Sequence, residues 1–505
     1  MNKKKYYTEK LKYYFDDYNI LLSKARLETY DKISSIASPT LNKQETVTFL
    51  YQKILKNIEG EKERNIRKYS WFKFYVKLFY KFYQLIRISL AHRVKELPLN
   101  CTFFRTWIVP RTVQNNNVND DYFRELIQDL GKKNQVIVAF QPLSFDKAFK
   151  KFQKIKKPSN YIIPIGLLNI YDVLKVIIKY VLFGRSKLKK KYYFKKNEIS
   201  KIINDSLDND FFNFHSFQFF LDYEIARKLK KFQISKFFYI YENQAWEKAY
   251  IMNLEKKHTE IIGYQSSGFS FRFLNFFPSK LDFKNNLFPN KTITVGDVFT
   301  QTLRDYGCYP IPIETFGALR FNSHNSKNNK FIVSRPKPQI FKRVLYAFSV
   351  HFWQYEIILK DLFEVFKNCE IEVHLKFHPM YQKKHETINL PKNFRIWNSR
   401  DNFELKEEYD MVLFNDNSFG IESLIHGVCS YEYLIDKYYD EKRLFNFTLY
   451  DPILDKKSLL ILRDKILNNK FKKSISKRKL EEYINNIYTV YSKNNKIVKN
   501  VFQSI

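Results

Sequence analysis

His378 closes a short stretch of alternating character, and its place there limits the chemistry it can do. The segment HLKFHP (374–379) predicts a strand on which His374, Lys376 and His378 share one face. Pro379 has no backbone N–H to donate, so we expect the strand to end there with His378 at its carboxyl edge. A histidine two residues after a lysine suits an anionic phosphate, and an imidazole near its ordinary pKa can donate a proton to a departing one.

The histidines and cysteines do not have the spacing of a metal site. On a strand, His374 and His378 would lie about 13 Å apart at ~3.3 Å per residue, whereas metal–ligand bonds are about 2 Å long. The four cysteines are far apart and form no C-x-x-C pair. We therefore expect no metal, no disulfide scaffold and a reducing compartment.

A second candidate phosphate contact follows an apolar strand at 411–414. The polar loop 415–417 leads into a helix that is expected to open at Ser418, with Glu422 one turn inside it. Free amides at a helix start, together with the Ser418 hydroxyl, suit a phosphate. The alternative is an ordinary cap by Asn417 or Ser418, and the two roles can coexist. Glu422 would either accept a hydrogen bond from a ribose hydroxyl or only interact favourably with the positive end of the helix dipole.

Glu242 is the candidate general base. It ends the strand predicted at 237–241 in YIYENQAWEKAY, so its carboxylate would lie at the carboxyl edge of a sheet, as His378 does. There it could take a proton from a substrate hydroxyl. A capping or structural role is the alternative, and Glu247 is the second choice for the base. Gln244 and Glu247 are candidates for contacts to the substrate that carries this hydroxyl.

Other chemical motifs are absent or stand in the wrong context. SLDNDFF (206–212) contains a D-x-D, but no strong strand precedes it and the following stretch looks helical, so we expect Asp208 or Asp210 to cap a helix. The sequence has no Walker loop, no GxGxxG and no GxSxG. These absences exclude the common routes to nucleoside triphosphate, dinucleotide or acyl chemistry, and we expect no cofactor.

The elements that must position these residues form two series. At 505 residues, with 45% hydrophobic and 28% charged residues, the chain is expected to fold into two globular domains. After a mostly helical region, short apolar runs alternate with helical ones such as 341–367 and 418–427, which predicts parallel sheets wrapped by helices. We place a helical region at 1–97, one Rossmann-like domain at 98–320 and a second at 321–505.

The charge predicts phosphate-rich partners. Lys and Arg number 87 against 52 Asp and Glu, a formal net charge of +35, which suits nucleic acid, an anionic membrane or an anionic substrate. A compositional drift toward Lys, Asn, Ile, Phe and Tyr is the alternative. Segments 67–95 and 171–196 interleave aromatic residues with lysines and arginines. Such a helix can lie in a membrane interface. Alternatively, it packs on the protein core while the aliphatic stems of its lysines extend past the aromatic rings to reach water.

Membrane insertion and secretion are not expected. The N-terminal stretch reaches acidic residues before any apolar run and does not resemble a signal peptide, and no segment is long and apolar enough to span a bilayer. We therefore expect a cytoplasmic protein that docks on a membrane surface.

The order of motifs resembles a known family. A strand, HP, a strand, a polar loop and S-x3-E-x4-G (Ser418, Glu422, Gly427) are similar to the nucleotide-binding half of GT-B glycosyltransferases, and 295–321 is similar to their interdomain crossover. The HP and Ser motifs more narrowly resemble the sialyltransferase-like and Kdo-transferase branch, which uses CMP-activated ulosonic acids in bacterial surface polysaccharides. The resemblance implies two Rossmann-like domains facing a cleft, with His378 and Ser418 on the CMP phosphate.

The resemblance covers about 230–435 and also guides the remaining site assignments. That branch often has an acidic pair before a glycine in its first domain, where this chain reads QSSGF, so Gln265 and Ser266 are candidate acceptor contacts and Glu242 is the base instead. Arg335 in VSRPK joins Lys376, Ser418 and Glu422 as a candidate donor contact.

The expected activity is metal-independent transfer of an ulosonic sugar from a CMP donor to a bacterial surface glycan or glycolipid. One alternative is a CDP-polyol phosphotransferase of the teichoic-acid type or a transferase for another nucleotide sugar. Another is a non-enzymatic RNA- or membrane-binding basic protein. No RNA-binding motif is present and the basic residues are scattered, so we expect no specific nucleic-acid partner.

Overall fold

The larger of two parallel sheets has seven strands in the order β7-β6-β5-β4-β1-β2-β3. Its strands are β1 Cys101–Ile108, β2 Val136–Pro142, β3 Tyr161–Ile162, β4 Ile234–Ile240, β5 Glu260–Gln265, β6 Lys291–Thr294 and β7 Ile313–Thr315. The central strands β1, β2 and β4 are buried along almost their whole length. Strands covered by helices on both faces are mostly apolar, as these are, although Arg105 and Lys236 are buried within them.

The smaller sheet has five parallel strands in the order β10-β9-β8-β11-β12. Its strands are β8 Arg343–Ala347, β9 Glu372–Lys376, β10 Phe394–Ile396, β11 Met411–Phe414 and β12 Cys429–Glu432. Both sheets reverse their strand order once, between β1 and β4 and between β8 and β11. Ligands of open parallel sheets bind beyond the carboxyl ends of the strands at such reversals.

Helices cover the sheets. They are α1 Lys32–Ala37, α2 Trp71–Ala91, α3 Arg124–Gly131, α4 Lys147–Lys154, α5 Ile170–Phe183, α6 Ser200–Phe212, α7 Phe217–Leu229, α8 Ala245–Asn253, α9 Lys280–Lys284, α10 Asp297–Asp305, α11 Tyr355–Phe366, α12 Phe419–Ile425, α13 Lys456–Leu467 and α14 Lys477–Ile487. Short 3-10 turns lie at Pro164–Leu167, Leu274–Phe276 and Leu319–Phe321. Three antiparallel pairs of two-residue strands join Val113–Gln114 with Asn117–Val118, Tyr193–Phe194 with Asn197–Glu198, and Ser326–Lys327 with Lys330–Phe331.

This computed structural model describes residues 17–29, 31–43, 54, 69–109, 112–114, 117–132, 134–142, 147–269, 273–321, 326–327, 330–331, 343–349, 354–378, 388–397, 409–415, 417–433, 453, 455–468 and 476–492. The prediction of an α/β chain with two Rossmann-like parallel sheets is confirmed. Within the described residues, no helix is both long and apolar enough to cross a membrane.

Two sequence predictions of local structure are wrong. The stretch 341–367 is not one helix, because 343–347 is the central strand β8 and α11 begins at Tyr355. A short run that is apolar on every face gives no periodicity that separates a buried strand from a helix. Asp208 and Asp210 do not start a helix either, since both lie within α6. Asp208 pairs with Arg185 (2.7 Å), and Asp210 accepts a hydrogen bond from the Ser38 hydroxyl (2.7 Å).

The C-terminal segment returns to the larger sheet. The N–H of Thr489 donates to Val295 O (2.8 Å), and the N–H of Ala318 donates to Thr489 O (2.8 Å). Helix α14 buries its apolar side in the same core cluster as β1 and β4. The predicted domain boundaries at 97 and 320 stay predictions, and this return shows that the segment around α14 packs with the larger sheet.

Candidate active site

Arg320, just after β7, lies between the two sheets. Its guanidinium is 3.9 Å from the carboxylate of Glu422 in α12, and it interacts electrostatically with Asp121, which precedes α3. Burial alone would lower the pKa of Arg320, but the carboxylates of Glu422 and Asp121 outweigh it and raise the pKa above its ordinary value. Arg320 therefore stays charged and connects the carboxyl edge of the larger sheet with helix α12 of the smaller unit.

The strand reversal of the smaller sheet holds a buried polar cluster. Asn415, directly after β11, accepts a hydrogen bond from Ser349 N (3.2 Å) and donates to Ser349 Oγ (3.1 Å) and Gln354 Oε1 (2.6 Å). Because Ser349 follows β8, these bonds tie the two carboxyl ends together where the strand order reverses. The cluster fixes the loop from which Ser418 projects.

Asn417 caps helix α12. Its Oδ1 accepts hydrogen bonds from the N–H groups of Phe419 (3.0 Å) and Gly420 (3.4 Å), and its Nδ2 donates to Ala347 O (2.8 Å). The capping alternative is thus the observed one, with Asn417 as the capping side chain. Two of the first-turn amides expected to bind phosphate are already bonded, which leaves the side chains as the candidate phosphate contacts on this loop.

Ser418 and Glu422 lie on the same side of α12. The half-buried Ser418 donates its hydroxyl hydrogen bond to Glu422 Oε1 (2.7 Å), the same oxygen that faces Arg320. Ser418, Glu422 and Arg320 therefore form a chain of contacts that crosses the boundary between the two units. Both predicted donor contacts are close to each other, although no ligand contact tests their roles.

Strand β9 has the predicted alternation, with Val373 and Leu375 buried and Lys376 half-buried on the other face. The Lys376 ammonium lies 4.8 Å from the ring centroid of Phe419, the residue after Ser418, and 4.4 Å from that of Trp397. The structure therefore brings Lys376 to the loop that carries Ser418. These ring contacts also support a packing role for the lysine.

His378 lies just beyond β9, as predicted. Its backbone N–H donates to the hydroxyl of Tyr355 (3.4 Å), and that hydroxyl donates to Ser349 O (2.6 Å). Tyr355 thus holds the ends of β9 and β8 next to each other, and half-buried His378 stands at the same edge as the Ser349–Asn415 cluster. Arg335 and Pro379 lie outside the described residues.

His374 belongs to a polar network on the face of β9. Its Nδ1 lies 2.6 Å from the Tyr409 hydroxyl and its Nε2 lies 3.1 Å from Glu372 Oε1. Among the residues that the structure describes, no group of three or more His, Cys, Asp or Glu side chains is arranged to hold a metal ion.

Glu242 stands at the strand reversal of the larger sheet, two residues beyond β4. The Gln244 side-chain amide donates to Glu242 Oε2, and Gln244 Oε1 accepts a hydrogen bond from Trp246 Nε1 (2.8 Å). Trp246 in turn packs on the guanidinium of buried Arg105, at 3.9 Å from the ring centroid. This relay orients the half-buried carboxylate. Glu242 also interacts electrostatically with Tyr122, as does Arg320, which places all three in one neighbourhood.

Glu247 is a buried capping residue. Its Oε1 accepts hydrogen bonds from the N–H groups of Glu242 (2.9 Å) and Gln244 (3.0 Å), which forms the capping box of α8. Burial raises the pKa of Glu247 well above its ordinary value, against the lowering effect of these two bonds. This position fits support of the Glu242 loop better than direct contact with an acceptor.

Gln265 and Ser266 are buried at the carboxyl end of β5. The Gln265 side chain donates to Ser267 O and accepts from Val295 N (3.4 Å), so its amide shapes the loop that joins β5 to the following segment. Their predicted acceptor contacts remain untested.

Several residues of this site were not predicted from the sequence. Ser349 and Asn415 each follow a strand, and Asn415 was predicted only as part of the polar loop 415–417, although the carboxyl-edge rule marks it as a site residue. Ser349 was missed because β8 was taken for helix. Arg320 and Tyr355 carry no local signal, because their partners lie about a hundred and about twenty residues away along the chain.

No protein-family model and no curated protein sequence matches the chain. Solved structures that resemble it include the glycotransferase of kitacinnamycin (TM-score 0.42, 10% identity, 77% of this chain and 95% of that one). The UDP-GlcNAc 2-epimerase from Neisseria meningitidis bound to UDP-GlcNAc gives a TM-score of 0.42 at 7% identity, over 80% of this chain and 100% of that one.

The lipopolysaccharide outer core galactosyltransferase WaaB gives a TM-score of 0.40 at 11% identity, over 80% of this chain and 98% of that one. At these TM-scores the likenesses decide neither substrate nor reaction.

Proposed function

We propose that the protein is a glycosyltransferase that moves a sugar from a nucleotide-activated donor to an acceptor hydroxyl. The observation that carries the proposal is the position of Arg320, which connects the carboxyl edge of the larger sheet with the loop that holds Ser418. Carboxyl edges at strand reversals are the ligand-binding ends of parallel sheets. Two such edges around one boundary offer a donor half and an acceptor half to a single reaction.

The smaller unit would hold the donor. Lys376 and His378 at the end of β9, with Ser418 across from them, supply a cation, an imidazole and a hydroxyl for a phosphate. In the transition state the leaving nucleotide gains negative charge, which the ammonium stabilises and to which the imidazolium donates a proton. Glu422 would accept a hydrogen bond from a ribose hydroxyl. Arg335 stays a proposed donor contact.

The larger unit would hold the acceptor. Glu242, oriented by Gln244, takes the proton from the attacking hydroxyl, whose oxygen then bonds to the anomeric carbon as the nucleotide phosphate leaves. Gln244, Glu247, Gln265 and Ser266 remain the proposed acceptor-side residues, with Glu247 supporting the loop from beneath.

The proposed donor is a CMP-activated ulosonic sugar, which the HP and Ser motifs alone support. A CDP-polyol or another nucleotide sugar is the alternative within the same architecture. The proposed acceptor is a glycan or glycolipid of the bacterial surface, met by a cytoplasmic enzyme at the inner membrane. The chain's formal net charge of +35 favours an anionic partner of this kind.

A nucleotide screen tests the proposal. Thermal unfolding of the purified wild-type protein is measured without nucleotide and with CMP, CDP, UDP or GDP. The same measurements are made on His378→Ala and on the matched control His258→Ala, which changes an exposed histidine. A nucleotide present at a hundred times its Kd stabilises the native state by about 2.7 kcal/mol. We expect one nucleotide to raise the Tm of the wild type and the control, and His378→Ala to reduce that rise.

The identity of the stabilising nucleotide decides the donor. Selective stabilisation by CMP supports an ulosonic donor, CDP supports a CDP-polyol, and UDP or GDP keeps the reaction class and discards the CMP donor. No response to any nucleotide, with strong salt-sensitive binding to RNA, would overturn the enzyme proposal in favour of a polyanion-binding protein.

A further inference from the structure

Helix α2 is apolar on two opposite sides. Phe74, Leu78, Leu85 and Ile88 face the core. On the other side, the exposed residues recur at helical spacing and are Phe72, Tyr75, Val76, Phe79, Tyr80, Tyr83 and Leu90. A helix packed on the surface of a water-soluble domain normally turns polar residues outward. The side chains of Phe72 and Phe79 are instead 79% and 73% exposed.

Helix α5 extends this surface. It packs beside α2, where the rings of Phe74 and Tyr180 lie 6.2 Å apart, and it also exposes apolar residues on its outer side. These residues are Ile170, Tyr171, Leu174, Ile178 and Leu182. We call the exposed residues of the two helices the aromatic ridge. At about 1.5 Å per residue α2 alone is about 30 Å long, so the ridge is an extended surface rather than a pocket.

The charges beside the ridge are mostly positive. Helix α2 exposes Lys73, Lys77 and Arg87 and contains no acidic residue. The only acidic residue of α5 is Asp172, which is buried and paired with Arg227 and Lys228. The following segment adds exposed Lys187, Lys189 and Lys196. An apolar surface edged mainly by exposed cations is complementary to an anionic, amphipathic partner.

We propose that the aromatic ridge docks the protein on the surface of a bilayer that contains anionic phospholipid. The aromatic side chains enter the headgroup and upper acyl region, where the tyrosines keep their hydroxyls in water. The lysines and arginines then meet lipid phosphates. This inference goes beyond the proposed transfer reaction, because docking requires neither nucleotide nor catalysis, and it names the surface and the lipid class.

Vesicle cosedimentation tests the inference with the full chain. Wild-type protein is mixed with vesicles of phosphatidylcholine alone or with phosphatidylglycerol added, at low and high salt. We expect binding to the anionic vesicles that high salt weakens but does not abolish, since the apolar contribution is insensitive to screening. The triple variant Phe72→Ser, Phe79→Ser and Leu182→Ser should partition onto the anionic vesicles at least tenfold less than the wild type.

A matched variant separates the ridge from exposed apolar residues in general. Ile357→Ser with Ile461→Ser removes two side chains that are 50% and 48% exposed on the smaller unit, and its vesicle binding should equal that of the wild type. Lys73→Glu with Lys77→Glu should weaken binding mainly at low salt. All these positions are exposed, so thermal unfolding of the variants should remain close to wild type.

Other outcomes overturn the inference. Absence of binding to every vesicle excludes a bilayer as the partner. A wild-type dimer by light scattering that the ridge substitutions convert to monomer, without vesicle binding, assigns the ridge to a second copy of the chain. If nucleotides fail to stabilise the protein but anionic vesicles bind through the ridge, the proposed reaction fails and the docking inference stands.

Discussion

The hydroxyl of Ser418 donates a hydrogen bond to Glu422 Oε1 at 2.7 Å, and the same carboxylate lies 3.9 Å from the guanidinium of Arg320. A serine proposed to contact phosphate is thus bonded to a carboxylate that also faces the other unit. A bound phosphate would accept the hydrogen bond of the Ser418 hydroxyl in place of Glu422. The Glu422 carboxylate would then interact with Arg320 alone. We therefore predict that donor binding is coupled to the Arg320–Glu422 contact through Ser418.

Ser418→Ala should weaken nucleotide binding about tenfold, because it removes one hydrogen bond to a charged group, which contributes about 1.5–3 kcal/mol. Calorimetric titration with the nucleotide chosen by the screen measures the change. Ser206→Ala in α6 removes a comparable partly buried helical hydroxyl in the larger unit and should bind as the wild type does. Equal affinities of Ser418→Ala and wild type would remove Ser418 from the donor site.

Glu242→Gln should lower kcat at least a hundredfold with little change in KM for the donor, since a positioned general base contributes about 10²–10⁴-fold and the amide has nearly the same shape. The readout is release of free nucleotide at saturating donor and acceptor. Exposed Glu198→Gln is the control. Retention of more than a tenth of the wild-type kcat would exclude Glu242 as the base.

Asp282→Asn should lower the free energy of unfolding by about 3–5 kcal/mol, the usual cost of leaving buried cations without their carboxylate. Asp282 bonds Arg26 Nη1 (2.8 Å) and Lys248 Nζ (3.0 Å), and all three side chains are buried. Denaturant unfolding measures the loss, and exposed Asp305→Asn should change it little. A loss below 1 kcal/mol would mean that the cluster contributes little to stability.

The free energy of unfolding should rise from pH 7 to pH 9. Burial lowers the pKa of Lys43 to about 7 and that of Lys248 to about 8, so above these values the folded protein holds these lysines neutral while the unfolded chain keeps them protonated. The unfolded state then binds more protons, and stability increases with pH. Lys43→Met should reduce this slope, whereas exposed Lys32→Met should preserve it. If Lys43→Met leaves the dependence of the free energy of unfolding on pH unchanged, the pH effect does not come from Lys43.

Gly296→Ala should destabilise the protein by about 1–3 kcal/mol, because the added Cβ would lie 1.9 Å from Ile487 O at the end of α14. Gly131→Ala is the matched control, since nothing lies within 4 Å of its added Cβ. Proteolysis that releases the C-terminal segment faster in Gly296→Ala would locate the loss at the return of α14. Equal stability of the two variants would refute this explanation.

Local patterns predicted much of the smaller sheet. Strict alternation at 372–377 set the faces of β9 and the position of Lys376 and His378, because side chains on a strand point to opposite sides in turn. The polar loop after β11 correctly predicted a helix near Ser418 and a cap by one of two residues. The continuous apolar run of β8 carried no such information and was taken for helix.

The sequence by itself determined the α/β class, most of the strands and the side chains at their carboxyl ends, because these depend on short-range periodicity and on residues that end strands. Only the tertiary structure decided the order of the strands, the return of α14 to the larger sheet and the meeting of Arg320 with Glu422. Those contacts join residues about a hundred or more positions apart. They depend on how whole elements pack, which no local pattern encodes.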